Sequence, residues 1–331
     1  MDEGPTNRCI LSTLGRTLDR LWAHASTIDL SGAENADWLE RNLFIESTIY
    51  FFASTADAEG GHARFMRQMQ NFQITRRRFM AGLVAVIYGV VAYGSTLVAL
   101  LYLIGFVGNL IVPKSIDSGT AGPLLQSVIV DTLLIGLFAI QHSVMARQGF
   151  KRWWTRIVPP SVERSTYVLS ASFALLILYW QWQPIPALVW TVHNPTAAAV
   201  LDGIFWLGWV VLVASTFMLS HFELFGLSQV FARLFDKQLS DAKFRAPLLY
   251  RRVRHPIYLG VLLAVWATPA MTAGHLLFAV VITGYILIGI QLEEHDLIQQ
   301  FGDQYRRYRQ HAAMLVPLPG RKFTGPKDAN V

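Results

Sequence analysis

The chain changes character once. Residues 1 to 78 mix polar and apolar positions without an apolar run long enough to cross a bilayer, and from Phe79 onward apolar stretches follow one another. Crossing about 30 Å of hydrocarbon takes about 20 residues of helix. The first run extends from Phe79 to Val112, with its best span near Leu83 to Val107, and is preceded by Arg76, Arg77 and Arg78. The others run from Leu124 to Ala146, Tyr167 to Trp190, Val200 to Phe222, Ile257 to Met271 and Leu276 to Leu292. The pattern predicts an all-α polytopic membrane helix bundle of six spans. Its last two, joined by the tight link Thr272 to His275, form a short hairpin that crosses incompletely or thins the bilayer. Residues 79–223 hold spans one to four, and residues 224–331 hold a loop, the hairpin and a C-terminal tail. Residues 1–78 read as a polar extension, partly helical or disordered. Helical spacing recurs there around Leu11 to Ala25 and Trp38 to Ala53, with no cleaved-signal pattern.

Composition agrees with this reading. Of 331 residues, 53% are hydrophobic and 15% charged, a balance that places the chain among membrane proteins. The single cysteine, Cys9, lies in the polar extension, which excludes an intramolecular disulfide and a cysteine metal centre; any thiol chemistry uses an external thiol. The formal charge of +6 is explained by topology and anionic lipid headgroups before nucleic acid. Of the 28 Lys and Arg residues only Lys114 falls in a connection expected on the far side; the rest lie at the N-terminus, after spans two and four, or in the tail. Six crossings with both termini cytoplasmic fit that bias.

Polar groups within spans are functional candidates or paired structural residues. Asp131 and His142 stand eleven residues apart on one face of span two. Span four ends in His221 and Glu223, span five begins at His255 and Tyr258, and span six ends at Glu293 and Glu294. These ends converge at one cytoplasmic level, where a charged cofactor enters from water and an apolar substrate from lipid. Gln141, Glu223 and Trp180 are taken as substrate-chamber candidates, although the tryptophans, including Trp153, Trp154, Trp180, Trp182 and Trp190, read first as interfacial belt residues.

The segment RHPIYLG, Arg254 to Gly260, is a turn leading into a helix, with Pro256 at the first helical position. Its free N–H groups and positive end suit a carboxylate, with Arg254 as a charged partner. Gly260 allows a second helix or a ligand to approach the backbone. Glu293 and Glu294 point about 100 degrees apart on a helix, so one of them faces the pocket and suits an amine or ribose hydroxyls.

RHPIYLG, the paired glutamates, the FG at Phe301 and Gly302 with Tyr305 and Tyr308 after it, and the VP at Val316 and Pro317 together resemble the isoprenylcysteine carboxyl methyltransferase superfamily of integral-membrane methyltransferases. More narrowly, QHSVMARQGFKRWW, ERSTYVL, YWQWQP and HFELFGL resemble the bacterial methanethiol S-methyltransferases, over about Phe79 to Pro319. The resemblance implies S-adenosyl-L-methionine as cofactor, with Arg254, His255, Tyr258, Gly260, Glu293 and Glu294 at its site and Tyr305 and Arg306 closing over it from the tail. It implies methanethiol as substrate, dimethyl sulfide as product, and the bacterial inner membrane as location. No metal, nucleic acid or obligate protein partner is expected. The base that takes the thiol proton is expected to be His142, linked to Asp131, then His221, then Tyr258. Two alternatives stay open: an NADPH-dependent reductase of the sterol reductase type, and a transporter or proton-relay protein using Asp131, His142 and His221.

Overall fold

A computed structural model describes residues 60–239, 244–317 and 322–324, with side chains from Met66 onward. The expectations for residues 1–59 lie outside the described residues. Contacts divide the chain into two compact units, Met1–Arg77 and Arg78–Val331.

The second unit is a helix bundle. Helix α1 (Gly60–Gly108) carries the first apolar run within one long helix that begins in the polar segment. It is followed by α2 (Leu124–Ala146), the short α3 (Gln148–Trp154), α4 (Pro160–Gln181), strand β1 (Leu188–Thr191) and α5 (Pro195–Met218). Next come α6 (His221–Leu224), α7 (Leu227–Leu234), a 3-10 turn (Leu248–Arg251), α8 (Pro256–Trp266), β2 (Ala270–Thr272), α9 (Ala273–Phe301) and α10 (Asp303–His311). Among the described residues α1, α2, α5 and α9 are long and apolar enough to cross a membrane, and the protein is an integral membrane protein.

Local chemistry fixes the helix starts. Pro160, Pro195 and Pro256 occupy first-turn positions, where a missing N–H costs nothing. The Asn194 side chain accepts from the Ala197 amide at 3.0 Å, and Thr272 caps α9 by accepting from the His275 amide at 3.1 Å. The hairpin expected to have two short arms is unequal. Helix α8, of 11 residues, is about 16 Å long, whereas α9, of 29 residues, is about 43 Å. The apolar count stops at Leu292, but the backbone stays helical through the charged residues to Phe301. The link between the arms is not a bare turn, since β2 pairs antiparallel with β1, Leu188 opposite Thr272 and Thr191 opposite Ala270.

The core sits toward this ribbon end. Trp182 is 1% exposed, donates its indole N–H to the Ile116 carbonyl at 2.9 Å, and packs edge-on against Phe106 and Phe278. It is therefore a core residue, not a belt residue; Trp180, two positions earlier, is 73% exposed. Asp131 belongs to the same end: its Oδ1 accepts from the Gln183 amide at 2.9 Å, just beyond α4.

Helices α5 and α8 approach closely through two glycines. A Cβ on Gly260 would stand 2.6 Å from the Gly208 carbonyl oxygen, and one on Gly208 equally close to the Gly260 carbonyl oxygen. The structure gives the open side of Gly260 to a neighbouring helix. Gly260→Ala is expected to force these helices apart at a cost of about 1–3 kcal/mol. Thermal unfolding in detergent would read this as a clear fall in melting temperature, and an unchanged melt would contradict the contact.

Candidate functional site

Three short segments build the candidate site: the turn into α8, the last turns of α9, and α10 with its following residues. Backbone hydrogen bonds tie them together. The Arg254 amide donates to the Ala313 carbonyl at 2.8 Å, the His255 amide to Met314 at 3.2 Å, and the Ala313 amide to Arg252 at 2.9 Å. Val253 and Ala313 form a parallel bridge, so the tail lies alongside the turn as a strap. The Tyr308 hydroxyl fastens it further, donating to the Tyr250 carbonyl at 2.5 Å.

Within this frame the two glutamates have different tasks. Glu294, whose side chain is 8% exposed, receives Arg254 Nε on Oε1 at 2.7 Å and His255 Nε2 on the same oxygen at 3.1 Å, while Arg309 stands 3.7 Å from Oε2. Arg254 also donates to the carbonyls of Arg309 and Ala312 at 3.1 and 2.7 Å. His255, 3% exposed at its side chain, is held between the glutamates, with Nδ1 3.7 Å from Glu293 Oε2. Arg254, His255 and Glu294 thus form a buried clamp whose groups satisfy one another. Glu293 is 41% exposed, takes the Tyr258 hydroxyl on Oε2 at 3.0 Å, and has no partner for Oε1 among the described residues. The α8 N-terminus opens here without a side-chain cap.

The tail helix contributes one residue and turns the other away. Tyr305 is 2% exposed, and its hydroxyl has no hydrogen-bond partner. Burial pushes the Tyr305 and Tyr308 phenols above the usual tyrosine range, with Glu294 adding to the effect and Arg254 opposing it. Both remain O–H donors near neutral pH. Arg306 is exposed and pairs with Asp303 of its own helix at 2.7 Å.

His142 stands at the same end. The Tyr167 hydroxyl lies 2.9 Å from its Nε2 and 3.1 Å from its Nδ1, so it serves one ring nitrogen at a time. Phe138 stacks on the imidazole at 5.2 Å and meets Tyr285 edge-on at 6.2 Å. Phe138 thus connects the His142 ring to Tyr285 of α9, the helix that also carries Glu293. Arg147, just past α2, pairs with Asp296 of α9 at 3.0 Å and holds these helix ends together.

Other candidates lie elsewhere. Asp131 is on the Gln183 side, nearly three turns from His142, and does not meet it. His221 is enclosed: Tyr93 and Thr216 occupy its nitrogens at 2.9 and 2.8 Å, and Phe217 stacks on it at 4.1 Å, a structural arrangement. Glu223 is exposed, and Trp180 is at the ribbon end with its carbonyl accepting from Lys114. Gln141 is beside His142, its amide donating to the Met145 sulfur while its buried Oε1 lacks a partner. His295 points outward to Gln299. Tyr167 and Tyr285 were missed; a tyrosine inside an apolar run, as in Gly284 to Gly289, is the available signal.

Comparison with known proteins adds an independent finding. The chain is 58% identical over 236 residues to a methanethiol S-methyltransferase of Mycobacterium tuberculosis, covering 71% of this chain and 97% of that one. It is 55% identical over 234 residues to methanethiol S-methyltransferase 1 of Bradyrhizobium diazoefficiens, covering 71% and 82%. It also matches bovine nurim at 29% identity over 185 residues, 53% of this chain and 69% of that one. No family model matches the chain, and no solved structure matches it.

Replacing Glu294 with glutamine removes the charge that neutralises buried Arg254. Breaking a buried pair from one side costs about 3–5 kcal/mol. Glu294→Gln should therefore lower the melting temperature far more than Glu293→Gln, and equal melts would contradict the division between the two.

Proposed function

The chain belongs to the methanethiol S-methyltransferase family, and from that premise we propose that it methylates methanethiol to dimethyl sulfide by direct in-line transfer from S-adenosyl-L-methionine. The observation that carries the reading is the part-exposed Glu293 carboxylate with the Tyr258 hydroxyl on it, on the same helix as Tyr285, which packs with Phe138 next to His142.

The residues fit such a donor. Glu293 Oε1 is available to an amine or to ribose hydroxyls, the uncapped start of α8 suits a carboxylate, and the unpartnered Tyr305 hydroxyl supplies a buried donor. When bound, S-adenosyl-L-methionine supplies an electrophilic methyl group on a sulfonium. Arg254, His255 and Glu294 do not contact the donor in this reading; they hold the turn and fix where Glu293 points. The faces of Phe138, Tyr167 and Tyr285 give the neighbouring space an apolar, water-excluding lining, in which a cation attracts a thiolate more strongly than in water.

The reacting form of a thiol is its thiolate. His142 is assigned as the base: Tyr167 engages one of its nitrogens, and the other accepts the thiol proton. The thiolate so formed would be placed to take the methyl group that a bound donor would supply, with S-adenosylhomocysteine as the leaving group and the proton kept on His142.

Cofactor titration tests this first. Wild-type protein should bind S-adenosylhomocysteine and show no saturable binding of NADPH; the reverse preference would overturn the proposal. Glu293→Gln should weaken S-adenosylhomocysteine binding about tenfold while retaining the wild-type melt. His142→Ala should retain that binding and lower turnover by about 10² to 10⁴. Near-normal turnover of His142→Ala would remove the base assignment and leave the cofactor assignment intact.

A further inference from the structure

Away from this site, a second concave surface opens between α1 and the start of α4. Its volume is about 470 Å³, within the range of small-ligand pockets, about 300–1,000 Å³. Ala81, Val84 and Ala85 form one wall, Pro159 and Val162 the other, and Arg233, from the last turn of α7, lines one end. Of the polar groups on the lining, Tyr88 donates to Thr166 Oγ1 at 3.0 Å and Thr166 donates in turn to the Val162 carbonyl at 2.9 Å, so these two donors are engaged, and Ser161 adds one hydroxyl to a lining that is otherwise apolar apart from Arg233.

The rim is the opposite. Arg233 is exposed and makes no hydrogen bond or ion pair among the described residues. Arg78 is one turn before Ala81 on the same face of α1, and Arg156 is two residues before Val158; both are exposed and equally without a partner among the described residues. Asp236 lies three residues after Arg233 and makes no ion pair with it among the described residues, and Glu163 follows the lining residue Val162. The outer face of α1 beside the groove is apolar and exposed at Val84, Ile87 and Val91, as a lipid-facing helix requires.

We infer that this groove is a binding site for one anionic glycerophospholipid, an acyl chain lying between α1 and α4 and the headgroup phosphate held by Arg233, Arg78 and Arg156. Charge complementarity selects the occupant: a mostly apolar groove with Arg233 on its lining, and with Arg78 and Arg156 three and two residues before the lining residues Ala81 and Val158, matches a molecule with a hydrocarbon tail and a phosphate head. A neutral lipid would leave these charges unanswered, and a free phosphate would leave the apolar walls uncovered. The site is independent of the methyl-transfer reading, since it shares no residue with the clamp, with Glu293 or with His142.

Native mass spectrometry of the full chain in a neutral detergent tests the inference, with phosphatidylglycerol and phosphatidylcholine of identical acyl chains titrated in parallel. One phosphatidylglycerol should be retained in preference to phosphatidylcholine, by about tenfold. Arg233→Gln should reduce that preference about fivefold. Val84→Trp, at an exposed position on the groove wall, should reduce retention of both lipids by obstructing the channel. Should Val84→Trp fail to fold, Arg233→Gln and the headgroup comparison still decide the matter. Equal retention of the two lipids, an Arg233→Gln variant with unchanged preference, or competition by inorganic phosphate alone at the lipid's concentration would each overturn the assignment.

Discussion

The contact on which the candidate site depends is the buried charge cluster of Arg254, His255 and Glu294. It joins the entry to α8, the end of α9 and the tail after α10, with the His255–Glu293 pair as a second tie between the first two. A cation and an anion withdrawn from water are stable together only if each is fully hydrogen-bonded. Here Arg254 Nη1 donates to the Arg309 and Ala312 carbonyls. That requirement specifies one placement of the tail, and it leaves the neighbouring glutamate, Glu293, turned toward Tyr258 and open space. Two adjacent residues of one type thus differ, one buried in the charge cluster and one part-exposed, through helix geometry alone.

The rest of the bundle positions a second polar group against this face. The Arg147–Asp296 pair aligns the ends of α2 and α9, and Phe138 and Tyr167 pack on His142, with Tyr285 of α9 against Phe138. At the opposite end Asp131, Gln183 and Trp182 fix the ribbon and the packing. Polar groups within the membrane are therefore of two kinds, fixing the ribbon at one end and gathering at the turn into α8 and the last turns of α9 at the other.

Much of this was readable in the sequence. Apolar runs located the helices, and the spacing of RHPIYLG from the paired glutamates located the segments that meet. The distribution between Glu293 and Glu294 was not readable, because it depends on the rotation of α9 relative to α8, a tertiary quantity. His221 looked like a chemical group because a histidine at a span end is costly unless used; its use is to bond Tyr93 and Thr216. The expected link from Asp131 to His142 failed on length, since a shared face does not bring residues nearly three turns apart into contact. Gly260 had two readings, and only the position of Gly208 on α5 chooses between them.

The central functional claim is that a methyl group passes directly from the donor to the substrate sulfur. The most direct measurement is headspace mass spectrometry of purified protein incubated with methanethiol and S-adenosyl-L-methionine whose transferable methyl group is fully deuterated. The account predicts dimethyl sulfide shifted in mass by the deuterium content of one methyl group, formed in proportion to S-adenosylhomocysteine. Unlabelled dimethyl sulfide, or none above a protein-free control, would contradict it.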